Sequence, residues 1–117
     1  MINSQSSDTH VNAVTQKVLN VAKDTLGDKL SKVILFGSYA RGDFDNESDV
    51  DIFVLADVPH EDVNSFGKSI DQRISNLWLD YDLLVNIHIT SKTVFDRYFN
   101  VLPYYQNVIA EGVELHG

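Results

Sequence analysis

The chain has 117 residues, 17 acidic against nine basic for a net charge of −8, and no cysteine. A chain of this length builds one core hiding roughly two-thirds of its unfolded surface, and without thiols it can carry no disulfide scaffold, thiolate zinc site or cysteine nucleophile. The acidic balance argues against a nucleic-acid binder, no apolar run approaches the ~20 residues that span a bilayer, and residues 1–7 lack the stretches of a signal peptide, which together fit a cytoplasmic protein.

Residues 1–7 are polar and predict a disordered tail, which leaves 8–117 as a single domain. From Asp8, a candidate N-cap, apolar residues recur at Val11, Val14, Val18, Val21, Ala22 and Leu26, and Gly27 stops the helix. Lys32 to Phe36 is a short β-branched and aromatic run that predicts a buried strand. Gly37 to Ser48 is rich in turn residues, and Val50 to Leu55 forms a second strand. Pro59 opens an amphipathic helix carrying Val63, Phe66, Ile70, Ile74 and Leu77. Asp82 to Ile89 alternates, with Leu83, Val85, Ile87 and Ile89 on one face and Asp82, Leu84, Asn86 and His88 on the other, a third strand with one wet edge. Ser91 caps a short helix through Phe99, and Pro103 starts a last helix that ends at Gly112. This order, without repeats or linkers, predicts an α+β fold in which helices cover one face of a small mixed sheet.

The charge is concentrated. Asp43, Asp45, Glu47, Asp49 and Asp51 account for five of the eight excess negative charges, which makes this stretch a plausible binder of divalent cations. Asp49 and Asp51 lie two apart at a strand start, so both leave the same face about 6–7 Å apart at Cα. Two such carboxylates repel unless a cation sits between them, and Mg²⁺ takes one or two carboxylates together with substrate phosphates. Asp82, at the start of the next strand, is a candidate third carboxylate, with Asp80 on the same face as the alternative. Three acids on adjacent strands can hold two metals about 4 Å apart, the arrangement for in-line attack at phosphorus. Gly37 and Ser38 follow a buried strand directly; the glycine lets backbone come close, and the serine offers a hydroxyl and an N–H to phosphate. Arg41 adds a planar cation to the same turn.

Rival motifs fail on particular residues. Gly37 and Gly42 have P-loop spacing, but Asp43 and Phe44 stand where Lys and Ser or Thr are required. Asp43, Asp45 and Glu47 mimic an EF-hand, but Ser48 replaces its glycine and Val54 its bidentate glutamate. His10, His60, His88 and His116 show no ligand spacing, and His88 reads as an ordinary strand histidine. Trp78, Tyr81, Tyr98, Tyr104 and Tyr105 read as core or interface aromatics.

Gly37-Ser38, ten residues, then Asp49-x-Asp51 resembles the nucleotidyltransferase signature of the DNA polymerase beta superfamily. The fuller strings Gly37 to Gly42 and Ser48 to Ile52 resemble the minimal nucleotidyltransferases, small antitoxin-type proteins often paired with HEPN-domain toxins. Leu79 to Val85 is similar to that family's third-acid strand, and Pro103 to Val113 to its C-terminal helix. The resemblance implies the nucleotidyltransferase fold and transfer of AMP from ATP to a hydroxyl, such as a tyrosine of a HEPN toxin ribonuclease. It implies two Mg²⁺ ions held by Asp49 and Asp51, with Asp82 binding the catalytic one and orienting or deprotonating the acceptor. Gly37 and Ser38 would hold the triphosphate, supported by Arg41. Two rivals stand beside it: an antitoxin that neutralises its partner by binding alone, and a modifier of a small cationic molecule, for which 117 residues show no acceptor domain.

Overall fold

The protein, seen in a computed structural model, is described over residues 2–45 and 49–117, with side chains from residue 10 onward. Helix α1 (Ile2–Leu26) leads into strand β1 (Leu30–Phe36), a single helical turn α2 (Ser38–Arg41) and strand β2 (Val50–Ala56). Helix α3 (Val63–Ile74) and the short α4 (Leu77–Tyr81) precede strand β3 (Val85–Ser91). Helices α5 (Lys92–Tyr98) and α6 (Pro103–Glu111) and a last strand, β4 (Val113–His116), complete the chain. The sheet order is β3-β2-β1-β4; β1 runs antiparallel to β2 and β4, and β2 runs parallel to β3. This is a mixed α/β fold, as expected.

Alternation along the strands divides the core in two. Val33 and Leu35 of β1 and Val50, Ile52 and Val54 of β2 face α1 and α3, which bury Val14, Val18, Ala22 and Ile70 against them. Ile34, Phe53 and Leu55 point the other way, onto Phe95 of α5 and Tyr105 and Val108 of α6. Helices therefore cover both faces rather than the one expected, because β2 is apolar at nearly every position and needs cover on each side.

Four local expectations change. Helix α1 begins at Ile2, so Asp8 lies inside it and residues 2–7 are helical. Those residues contain no Gly or Pro to break the backbone ladder, and the apolar period from Val11 marks a buried face of the helix rather than its start. The single helix expected through Leu77 breaks after Ile74. Asp82 is not a strand residue: it ends α4 in the left-handed region, φ 55° and ψ 38°, its N–H closing on Trp78 O at 2.9 Å, and β3 starts three residues later. Aspartate tolerates that conformation better than most residues. The four-residue β4 is too short to register as a strand pattern. Met1 and the loop residues Asn46, Glu47 and Ser48, read as tail and acidic turn, lie outside the described residues.

Candidate active site

At the end of β1 the chain turns sharply at Gly37, φ 77° and ψ −154°, and α2 begins at Ser38. Two constraints meet there. The conformation is one that side chains avoid, and a Cβ on Gly37 would sit 2.5 Å from Asp51 Oδ2. The turn thus lies directly on the Asp51 carboxylate, and backbone bonds from Arg41 N to Gly37 O (3.1 Å) and from Gly42 N to Ser38 O (2.9 Å) hold it.

Strand β2 places the acids. Asp51 pairs with Phe36 of β1 on one side and with Asn86 of β3 on the other. Asp49 precedes the strand by one residue and shares its α5–α6 face with Asp51, as the spacing predicts. Asn86 Nδ2 donates to both carboxylates, to Asp49 Oδ2 at 3.0 Å and to Asp51 Oδ1 at 3.3 Å. One nitrogen reaching both acids shows that their oxygens converge on one point, and two converging carboxylates are the donor chemistry that Mg²⁺ takes.

Aromatic residues wall the acids on the inner side. His88 Nε2 stands 3.5 Å from Asp51 Oδ1. Its ring packs edge-on to Phe36 at 5.1 Å and near Tyr104 at 6.4 Å. Burial first, then the Asp51 charge and Tyr105, push the Tyr104 phenol up to about 12. On the outer side Tyr39 stacks on Phe44 at 4.4 Å, and burial, then Asp45 and Asp49, raise its phenol above the ordinary value. A groove of about 470 Å³ runs from Asn86 and His88 along β3 to Asp71 of α3 and Trp78 of α4.

The structure therefore brings Gly37, Ser38, Asp49 and Asp51 to one place. Arg41 sits on the same turn but is exposed and pairs with Asp43 at 3.2 Å, so it offsets the acidic turn. Asp82 does not join the acids. It is exposed at the end of α4, and among the described residues no three His, Asp or Glu side chains assemble as a metal set. The alternative, Asp80, lines a groove with Lys17 of α1 and Arg73 of α3, on the α1–α3 side of the sheet and away from the acids. Sequence reasoning missed Asn86 and undervalued His88 and Tyr104. The period-2 alternation of β3 had already put Asn86 and His88 on one face, but the parallel register that sets them beside Asp51 has no signal in a single sequence.

Comparison with known proteins identifies the family. The family model described as "Nucleotidyltransferase domain" matches residues 16–111. From Methanocaldococcus jannaschii, "Putative protein adenylyltransferase MJ0604" is 35% identical over 101 residues, which span 86% of this chain and 93% of the relative. A second relative from that organism, "Putative protein adenylyltransferase MJ0141", is 41% identical over 80 residues, 68% of this chain and 79% of the relative. A crystal structure of a toxin–antitoxin with AMP-PNP superposes with a TM-score of 0.54 at 25% identity, covering 87% of this chain and 72% of that one. With the family model matched across most of its length and its Gly-Ser turn seated on an Asp-x-Asp pair, this chain belongs to the nucleotidyltransferase domain family.

Proposed function

We propose that this nucleotidyltransferase, with residues 8–117 as its working unit, transfers AMP from ATP to a hydroxyl, preferentially a tyrosine, of a HEPN-domain toxin in the cytoplasm, and thereby acts as its antitoxin. The observation that carries the reading is the Asp49–Asp51 pair lying under the Gly37–Ser38 turn at the point that the Asn86 amide now occupies. Relatives named as protein adenylyltransferases support AMP as the transferred group, and the similar toxin–antitoxin bound to AMP-PNP supports both the nucleotide and the class of partner.

Asp49 and Asp51 would hold Mg²⁺, which supplies charge neutralisation for the triphosphate when bound. Gly37 brings backbone close to the phosphates, and Ser38 opens the turn that faces them. The acceptor oxygen attacks the α-phosphorus, the bond from that phosphorus to the bridging oxygen breaks, and pyrophosphate leaves with the electron pair; the acceptor proton passes to solvent. The chain's contribution is positioning and electrostatic stabilisation rather than covalent chemistry.

A second reading has its own support. Trp78, Leu79 and Leu84 are 51%, 73% and 55% exposed beside the β3 groove, and Asp82 stands apart from the acid pair, features suited to neutralisation by occlusion alone. Incubation with labelled ATP, Mg²⁺ and the toxin separates the two. Label on the toxin that disappears in the Asp49→Asn, Asp51→Asn double variant supports transfer; full neutralisation by that variant supports occlusion.

A further inference from the structure

Two divalent ions about 4 Å apart repel, and a carboxylate beyond the two that they share would offset the added charge, the part the family resemblance gives to Asp82. In this chain the residue that meets the pair from β3 is Asn86, level with Asp51 in the parallel register and bonded to both acids through Nδ2. Among the described residues, Asp80 and Asp82 do not substitute for it. Asp82 ends α4 in a left-handed turn, and Asp80 lines the groove between α1 and α3. Asn86 is neutral. Its Nδ2 donates to the acids, and turned over it would offer an amide oxygen, a weaker ligand for Mg²⁺ than a carboxylate.

We propose that this chain takes up one divalent cation with its nucleotide rather than two, and that Asn86 sets that number. The amide bonds to Asp49 and Asp51 without adding a third negative charge, which leaves the pair charge enough for a single ion. From Asp49, Asp51 and Asn86 a second ion would find shared carboxylate oxygens and an amide, with phosphate and water beside them. The inference rests on the nucleotide-binding reading above.

The test is Mn²⁺ binding followed by electron paramagnetic resonance at saturating AMP-PNP, with the Mn²⁺ bound by the analogue alone subtracted. Wild type, Asn86→Asp and the Asp49→Asn, Asp51→Asn double variant are compared, each with its thermal midpoint. One site in wild type and a second in Asn86→Asp, about 10-fold or more tighter than any residual second binding in wild type, is the expected result. Two equally tight sites in wild type overturn the proposal and leave the nucleotide-binding reading intact. One site in both proteins overturns the role of Asn86. No protein-dependent binding, equal in wild type and the double variant, overturns the nucleotide-binding reading itself. Should Asn86→Asp fail to fold, the wild-type count still decides between one ion and two.

Discussion

Gly37 carries a steric and a conformational demand at one atom, since the space a Cβ would need is filled by the Asp51 carboxylate. Gly37→Ala is therefore expected to cost about 1–3 kcal/mol through the strained backbone and to push Asp51 off its position, so that thermal midpoint and nucleotide affinity fall together. The acids themselves are half-buried beside an aromatic wall, where charge is less screened than at the open surface. Replacing both by Asn is expected to lower nucleotidyl transfer by more than about 100-fold, measured as label incorporated per unit time, with the fold retained by far-ultraviolet dichroism. Tyr104 gives a pH test. Its folded phenol titrates near 12 whereas an unfolded one titrates near 10, so the unfolded state loses its proton first as pH rises. Its stabilising contribution is complete below about pH 10 and is lost on approach to about pH 12. Tyr104→Phe is expected to flatten that stretch of the stability–pH curve and to remove a late-titrating phenol from the ultraviolet absorbance profile.

Among the elements, α5 shows how a cap turns the chain from sheet to helix. Ser91 ends β3, fully buried, and its Oγ accepts from Val94 N at 3.2 Å to start α5. Ser91→Ala leaves that N–H without its partner, and a loss of about 1 kcal/mol in chemical denaturation is expected. This cap was legible because a serine before a helical period has one local meaning, and Gly27 and Pro103 were legible for the same reason. The Asp-x-Asp pair was legible because strand periodicity alone sets two residues on one face. What could not be read was anything that depends on register between elements. Asp82 looked like a strand start because the alternation extends back through Leu83, yet the left-handed turn at Asp82 delays β3 to Val85 and moves its acid away. The same delay makes Asn86 the neighbour of Asp51. Strand β4 escaped because four residues give too little alternation, and it forms only where Gly112 lets the chain pass close to Ile34 and Leu35 of β1.

Over the whole molecule, the two helical layers have different tasks. The α1–α3 layer closes the larger core, while α5 and α6 bury Phe53 and bring Tyr104 up to the acid pair. Structural aromatics and site residues thus share one face of one strand, β2, with Phe53 two residues beyond Asp51. Among the described residues no helix is long and apolar enough to cross a membrane, and exposed apolar residues stand chiefly in two places: Trp78, Leu79 and Leu84 at α4 and the approach to β3, and Tyr98, Val101, Leu102, Tyr104 and Ile109 around α5 and α6. The central claim is that Asp49 and Asp51 gather a cation and a nucleoside triphosphate under the Gly37–Ser38 turn. Isothermal titration of AMP-PNP into wild type and the Asp49→Asn, Asp51→Asn variant, each with and without Mg²⁺, measures it directly. Binding that requires both the cation and the two carboxylates is the predicted result; equal binding by the variant, or binding indifferent to Mg²⁺, would contradict it.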